Sequence, residues 1–233
     1  MVDGAPPFTS RGLRAGAFGV APLLPVVVMY GIAFGVMAGA AGLSASEAAL
    51  LSAVVNAGGA QMASLQAWDN PVPILAVGLT TVAMNARYLL LGAALRPWFS
   101  GLPPHQSYSS LFVMGDANWA LALQEREEGR NDAAFLMGSG AILWLVWVSA
   151  TVAGQVFGQV LGDPARFGLD FMLAAFFATL AVTFLRKSAS LLPFAVGALA
   201  AIIAERLIAG PWYILIGAAA GSLVGALRHA DPA

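Results

Sequence analysis

Three stretches of this 233-residue chain, 15–46, 133–162 and 207–227, contain no charged side chain. Each is at least as long as the roughly 20 residues that a helix needs to cross the hydrocarbon core of a bilayer. Charged residues make up 10% of the chain and hydrophobic ones 59%, whereas about a quarter of an ordinary soluble domain is charged. The chain is therefore expected to be all-α, a polytopic transmembrane helical bundle. It forms a single transmembrane domain over 1–233, with a short cytoplasmic tail at 1–15.

The same composition excludes several classes. A net charge of −1 with no basic stretch gives no hold for nucleic acid. The absence of cysteine removes disulfide and thiolate chemistry. No HExxH, GxSxG or Walker A motif occurs, and His105 and His229 both lie outside the apolar segments. Intramembrane proteolysis wants a Ser/His or an Asp pair at depth, and only Asp116 qualifies. Neither enzyme activity, cofactor nor metal is expected.

Candidate helices fall at 17–41, 46–68, 72–95, 107–124, 133–161, 167–185, 189–209 and 211–227. The fourth is the weakest, since it carries Asp116 and Asn118. The last two are parted by Gly210-Pro211, where a tight turn fits and a straight helix does not. Arginine and lysine in short loops set orientation. With eight spans and a cytoplasmic amino terminus, Arg11, Arg14, Arg126, Arg130, Arg186, Lys187 and Arg228 all fall inside, while Arg96 and Arg166 fall outside. The expectation is a multi-pass protein of the cytoplasmic membrane with both termini inside; counting also admits seven spans.

Glycine recurs every four residues in three helices: Gly31, Gly35 and Gly39; Gly154, Gly158 and Gly162; Gly217, Gly221 and Gly225. Small residues at this spacing line one helix face and let neighbouring backbones approach closely. Close packing is the first reading; a sliding surface or a dimer contact are the others. Gly35 and Gly39 stand 119 residues before Gly154 and Gly158, an offset that also aligns Arg87 with Arg206. That admits a parallel internal repeat of helices 1–3 and 5–7.

Polar side chains at membrane depth are expensive and face a partner, a cavity or a pathway. They are Asn56 and Gln61 in the second helix, Asn85 and Arg87 in the third, Asp116 and Asn118 in the fourth, and Glu205 with Arg206 in the seventh. Asn85 and Arg87 are two apart and point to different sides of one helix. A site must then form where several helices converge. Arg87 reads equally as an ion-pair partner of Asp116 or Glu205 and as an anchor for a carboxylate, which a guanidinium matches in bidentate geometry. Asp116 reads as that partner or as a proton-coupling group. Glu205 and Arg206 are placed to snorkel to the interface.

The first four helices carry, in order, GVAPLLPVVVMYGIAFG, NAGGAQ, NARYLLLGAAL and GDANWAL. The chain thereby resembles the AzlC-type branched-chain amino acid permeases, the large subunit of two-component amino acid exporters. Ala57, Gly58, Gly59 and Gln61 match the family's helix 2 motif, Asn85 and Arg87 its helix 3 motif, and Asp116 its first acidic position. Tyr88 stands where histidine is usual, and Ala117 where a second acid is common. The resemblance implies export of leucine, isoleucine, valine or methionine across the bilayer, leaves proton coupling open, and implies a small AzlD-like membrane subunit as partner.

On this reading Gly58 and Gly59 loosen helix 2 near the midplane, and freed backbone groups with Gln61 hold the substrate's amino and carboxylate groups. Asn56 and Asn85 join that set, and Arg87 fixes the carboxylate or gates access through Asp116. Met62, Met84, Trp119 and Phe176 are candidates for the apolar pocket. The rival readings are a channel for a small neutral solute and a non-transporting scaffold subunit.

Overall fold

The computed structural model describes residues 6–66, 68, 72–161, 178, 182, 191–208 and 212–229, and among them every regular element is helical. The chain order is α1 (Ser10–Gly19), α2 (Leu24–Ala40), α3 (Ala45–Val54), α4 (Gly58–Gln66), α5 (Ile74–Asn85), α6 (Arg87–Phe99), α7 (Pro104–Phe112), α8 (Asp116–Glu127), α9 (Ala134–Leu161), α10 (Leu191–Leu207) and α11 (Trp212–His229). The tail expected at 1–15 is already helical from Ser10. A 3-10 turn at Ala21–Leu23 joins α1 to α2, where Pro22 and Pro25 lack the N–H groups of an unbroken ladder. Ser10–Ala40 and Ala134–Gly158 are long and apolar enough to cross a membrane.

Helix α9 is the spine. It runs beside α1 and α2 in the same direction, at backbone contact. A methyl group added at Gly16 would collide with the carbonyl of Phe135, at Gly35 with that of Thr151, at Gly138 with that of Leu13, and at Gly154 with that of Ile32. The first two glycine stripes thus pack on each other, while Gly162 lies outside the described residues. At one end, the near end, Asp132 clasps both helix starts. Its carboxylate accepts from the N–H groups of Thr9 (3.2 Å) and Ala134 (3.1 Å) and from the Thr9 hydroxyl.

The segment expected as one span at 46–68 is instead a hairpin that enters from the far end and returns. Near α2's end, Gly42 at φ 87° reverses the chain, and a capping box of Ser44 and Glu47 starts α3. Leu43's carbonyl accepts from Gln155 Nε2 (3.0 Å) towards the far end of α9, whereas Ala53's accepts from Trp144 Nε1 (3.0 Å) at mid-depth. Helix α4 then turns back: Gln61 Nε2 donates to Ser52 Oγ (3.3 Å). In an unbroken helix those two residues would stand about 13 Å apart along the axis. Met62 and Leu65 accordingly share an apolar cluster with Phe34, Ala38, Leu43 and Ala48.

Residues 107–124, also expected as a span, form a second hairpin that enters from the near end. Helix α7 descends along α9, with Ser109 against Met137 (3.6 Å) and the Val113 carbonyl against Gly140. Helix α8 climbs back parallel to α6: Asp116 meets Arg87, Trp119 Nε1 donates to the Leu91 carbonyl (3.1 Å), and Arg126 lies over the Trp98 ring (5.7 Å). Trp98 Nε1 also donates to the Asn131 carbonyl (3.4 Å), and Leu95, Trp98, Phe99, Met114, Ala122 and Leu136 pack in one near-end cluster. The end of α6, with Arg96, therefore lies at the same end as Arg11, Arg126 and Arg130, not at the opposite one.

The third expected helix, 72–95, is α5 and α6 together, interrupted at Ala86 and extended to Phe99. Helix–hairpin–helix–hairpin–helix is the resulting order, and the second hairpin repeats the first at an offset of 58 or 59 residues in the inverted direction. The middle member of the expected parallel repeat, 167–185, lies outside the described residues except at 178 and 182. Helices α10 and α11 form an antiparallel pair in which Gly197 faces the Gly217 carbonyl and Gly221 faces that of Pro193, and α11 touches α5.

Backbone contact at α9 predicts a sharp contrast. Gly35→Ala should destabilise the protein by about 1–3 kcal/mol, the usual penalty for overpacking. Gly92→Ala, where nothing lies within 4 Å, should be neutral or slightly stabilising. Thermal unfolding in detergent measures both, and equal melting temperatures would contradict the packing described.

Candidate functional site

The two hairpin tips meet at mid-depth. In the first, Val55, Asn56 and Ala57 are unwound and α4 begins at Gly58, so the glycine pair opens a helix rather than forming the break itself. The freed carbonyl of Ala53 is taken by Trp144, and that of Asn56 by the Tyr88 hydroxyl at 3.5 Å. In the second, Val113, Met114 and Gly115 are unwound and α8 begins at Asp116. Asn118, fully buried, holds this tip: its Oδ1 accepts from Gly115 N–H (2.7 Å) and its Nδ2 donates to the carbonyls of Val113 (3.3 Å) and Leu136 (3.2 Å).

Between the tips lies a cavity of about 370 Å³, within the range of small-molecule sites. Asn56, Ala57, Gly58 and Gly59 line it from the first tip, and Gly115, Asp116, Ala117 and Asn118 from the second. Arg87 and Tyr88 join from the start of α6. An apolar wall comes from Val26, Val27 and Tyr30 of α2 and from Leu143 and Trp147 of α9.

Two helix starts, at Gly58 and Asp116, therefore face one cavity, each bearing the partial positive charge of unpaired N–H groups. Arg87 adds a full positive charge, and Asp116 is the one acid among the described residues that line the cavity. The two are paired, Arg87 Nη2 to Asp116 Oδ2 at 2.9 Å, with their side chains 35% and 53% exposed. Arg87 also lies over the Tyr88 ring, 5.3 Å from its centre. Its Nε is buried without a hydrogen-bond partner. Such a site has a surplus of positive potential beside one carboxylate, so it suits a further negative group next to a cationic one.

Of the residues singled out in the sequence, Asn56, Gly58, Gly59, Arg87 and Asp116 line the cavity. Gln61 does not. It is fully buried, donating to Ser52 and accepting from Trp147 Nε1 (2.9 Å), with Ser52 bonded in turn to Thr151 (2.9 Å). Asn85 ends α5 with its Oδ1 buried and unpartnered, and Trp119 is engaged by Leu91. Met62 packs in the far-end cluster, Met84 does not line the cavity, and Phe176 lies outside the described residues. Glu205, one expected partner of Arg87, is exposed on α10 beside Arg206. Sequence reasoning missed Tyr30, Leu143 and Trp147; the one available signal was the spacing of Trp144 and Trp147, since a buried indole N–H needs an acceptor.

The family model described as AzlC protein matches residues 22–161, a stretch that holds both hairpins, the cavity and α9. The chain belongs to the AzlC family. This is a family of transporters, not of enzymes. Among curated relatives, "Inner membrane protein YgaZ" of Escherichia coli (strain K12) is 31% identical over 216 residues, covering 88% of this chain and 87% of the relative. "Branched-chain amino acid transport protein AzlC" of Bacillus subtilis (strain 168) is 26% identical over 160 residues, covering 67% of this chain and 61% of that one. No solved structure matches the chain.

Gln61→Ala should leave Trp147 Nε1 and Ser52 without their shared partner. An unsatisfied buried donor costs about 1–3 kcal/mol, so the melting temperature in detergent should fall. An unchanged melting temperature, with unchanged tryptophan fluorescence, would remove the support assigned to this bond.

Proposed function

We propose that this AzlC-family protein is a secondary carrier that exports branched-chain and similar apolar amino acids across the cytoplasmic membrane, and that the cavity between the hairpin tips is its binding site. The observation that carries this is the half-exposed Arg87–Asp116 pair, set in a cavity with an apolar wall and facing two helix starts. An α-amino acid presents a carboxylate, an ammonium group and a side chain. The guanidinium, with its unpartnered Nε, and the helix starts answer the carboxylate; Asp116 answers the ammonium group; Val26, Val27, Leu143 and Trp147 answer the side chain. The name of the Bacillus relative supports the substrate class.

Two hairpins that meet at mid-depth from opposite ends fit alternating access, in which a central site is opened to one side at a time. Coupling to protons through Asp116 belongs to this proposal, as does the small AzlD-like partner that the family resemblance implies. So does the topology. Because the hairpins turn back, the described crossings become 10–40, 74–99, 134–161, 191–207 and 212–229, and the topology takes the helix expected from the sequence at 167–185 as one more. Arg11, Arg14, Arg96, Arg126, Arg130, Arg186, Lys187 and Arg228 then all face the cytoplasm, which satisfies the positive-inside rule better than eight spans did.

In proteoliposomes the wild type should exchange labelled leucine saturably, whereas unsaturable flux would indicate a channel. Arg87→Ala and Asp116→Asn should each weaken leucine exchange by about thirtyfold, the equivalent of the ~2 kcal/mol that a hydrogen bond to a charged group contributes, with membrane insertion intact. Full activity in both variants would sink the site. For the topology, a cysteine placed at Ser100 should react with an impermeant thiol reagent from the same side as one placed at Ser10. Labelling from opposite sides would restore the arrangement of eight spans.

A further inference from the structure

We infer that the cavity sorts amino acids by side-chain size and that Gly58 and Gln61 set the limit through Trp147, without touching the substrate side chain themselves. This inference rests on the amino-acid reading of the site. The charged pair answers groups that every α-amino acid shares, so it cannot rank valine against leucine or phenylalanine. Ranking falls to the apolar wall, and within it Trp147 is the largest and most constrained member.

Three contacts fix that indole. Its Nε1 donates to Gln61 Oε1 at 2.9 Å. Its ring stacks on Phe34, 6.2 Å between centres and 23° between planes. Its far edge lies over Gly58, where an added methyl group would stand 2.6 Å from Cη2 and 2.9 Å from Cζ2. Gln61 and Phe34 are both fully buried, so neither can yield in a densely packed interior. A ring pushed off Gly58 has the cavity as its nearest free space. Glycine at this position is thus a spacer that keeps the indole out of the cavity. Gln61 holds it there by its amide. Leu143 contributes its side chain to the same cavity from one turn earlier on α9, and shortening it enlarges the space without disturbing the Trp147 contacts.

The test is the order of preference, which a purely structural role would not move. Full-length protein in proteoliposomes would be assayed for inhibition of labelled leucine exchange by valine, leucine, methionine and phenylalanine. One methylene in an apolar pocket is worth about tenfold or more in discrimination. Gly58→Ala should therefore raise the inhibition constants of leucine and methionine about tenfold relative to valine. Leu143→Ala should shift the order the other way, with phenylalanine gaining about tenfold relative to leucine. If Gly58→Ala does not accumulate in the membrane, Leu143→Ala and Val27→Ala carry the test alone. An order identical to the wild type in the variants that do accumulate, whatever their absolute rates, overturns the inference while leaving amino-acid transport standing. Absence of saturable inhibition by all four amino acids in the wild type overturns the substrate reading itself, and this inference with it.

Discussion

Everything else in this structure hangs on the approach of two backbones. Helix α9 and the α1–α2 rod touch through glycine against carbonyl, in both directions: Gly16 and Gly35 receive the carbonyls of Phe135 and Thr151, and Gly138 and Gly154 receive those of Leu13 and Ile32. In lipid no hydrophobic effect draws helices together, so association relies on packing of this kind. The close approach leaves the remaining faces of α9 free to carry both hairpins. Trp144, Trp147 and Thr151 hold the first, and the carbonyl of Leu136 holds the second through Asn118.

On the proposed topology, a hairpin that stops halfway along α9 exposes the ends of two half-helices where the bilayer offers no water. The two kinds of end are treated differently here. The carbonyl ends are closed by side chains: an indole on Ala53 and a phenol on Asn56. The N–H ends are turned towards the cavity, with Gly58 and Asp116 as their first residues. The outcome is a pocket whose positive character comes largely from backbone. Asp116, the single acid among its described lining residues, sits at a helix start, where a negative side chain is electrostatically favoured.

The helical class and the long segments were legible from charge-free runs, because hydropathy measures burial in lipid directly. Packing of the first two glycine stripes was legible too, from spacing alone. Asn56, Gly58, Gly59, Arg87 and Asp116 line one cavity; the polar three stood out as polar residues in apolar segments, and the glycine pair through the family resemblance. Chain reversal was not legible. Residues 46–68 and 107–124 have the length and apolarity of spans, and hydropathy has no direction in it. The reversal depends on contacts such as Gln61 with Ser52 that no window reports. The error over Arg96 followed from the same blindness. Gln61 was misassigned for a related reason: on a returning half-helix its face turns to α9, where Trp147 and Ser52 satisfy its amide in full.

The clasp at Asp132 has a consequence for uniqueness. Two parallel helices with glycines every fourth residue behave like a vernier: sliding one past the other by a single glycine interval, about 6 Å at 1.5 Å per residue, would bring a new set of glycines opposite one another. Close packing alone would then tolerate several alignments of nearly equal energy. Asp132 occurs once, and its carboxylate serves the N–H groups of both Thr9 and Ala134. A slipped pair would lose the bonds to Thr9. An unrepeated polar contact thus chooses among alignments that the repeated apolar one leaves degenerate, and with it fixes where along the spine both hairpin tips come to rest.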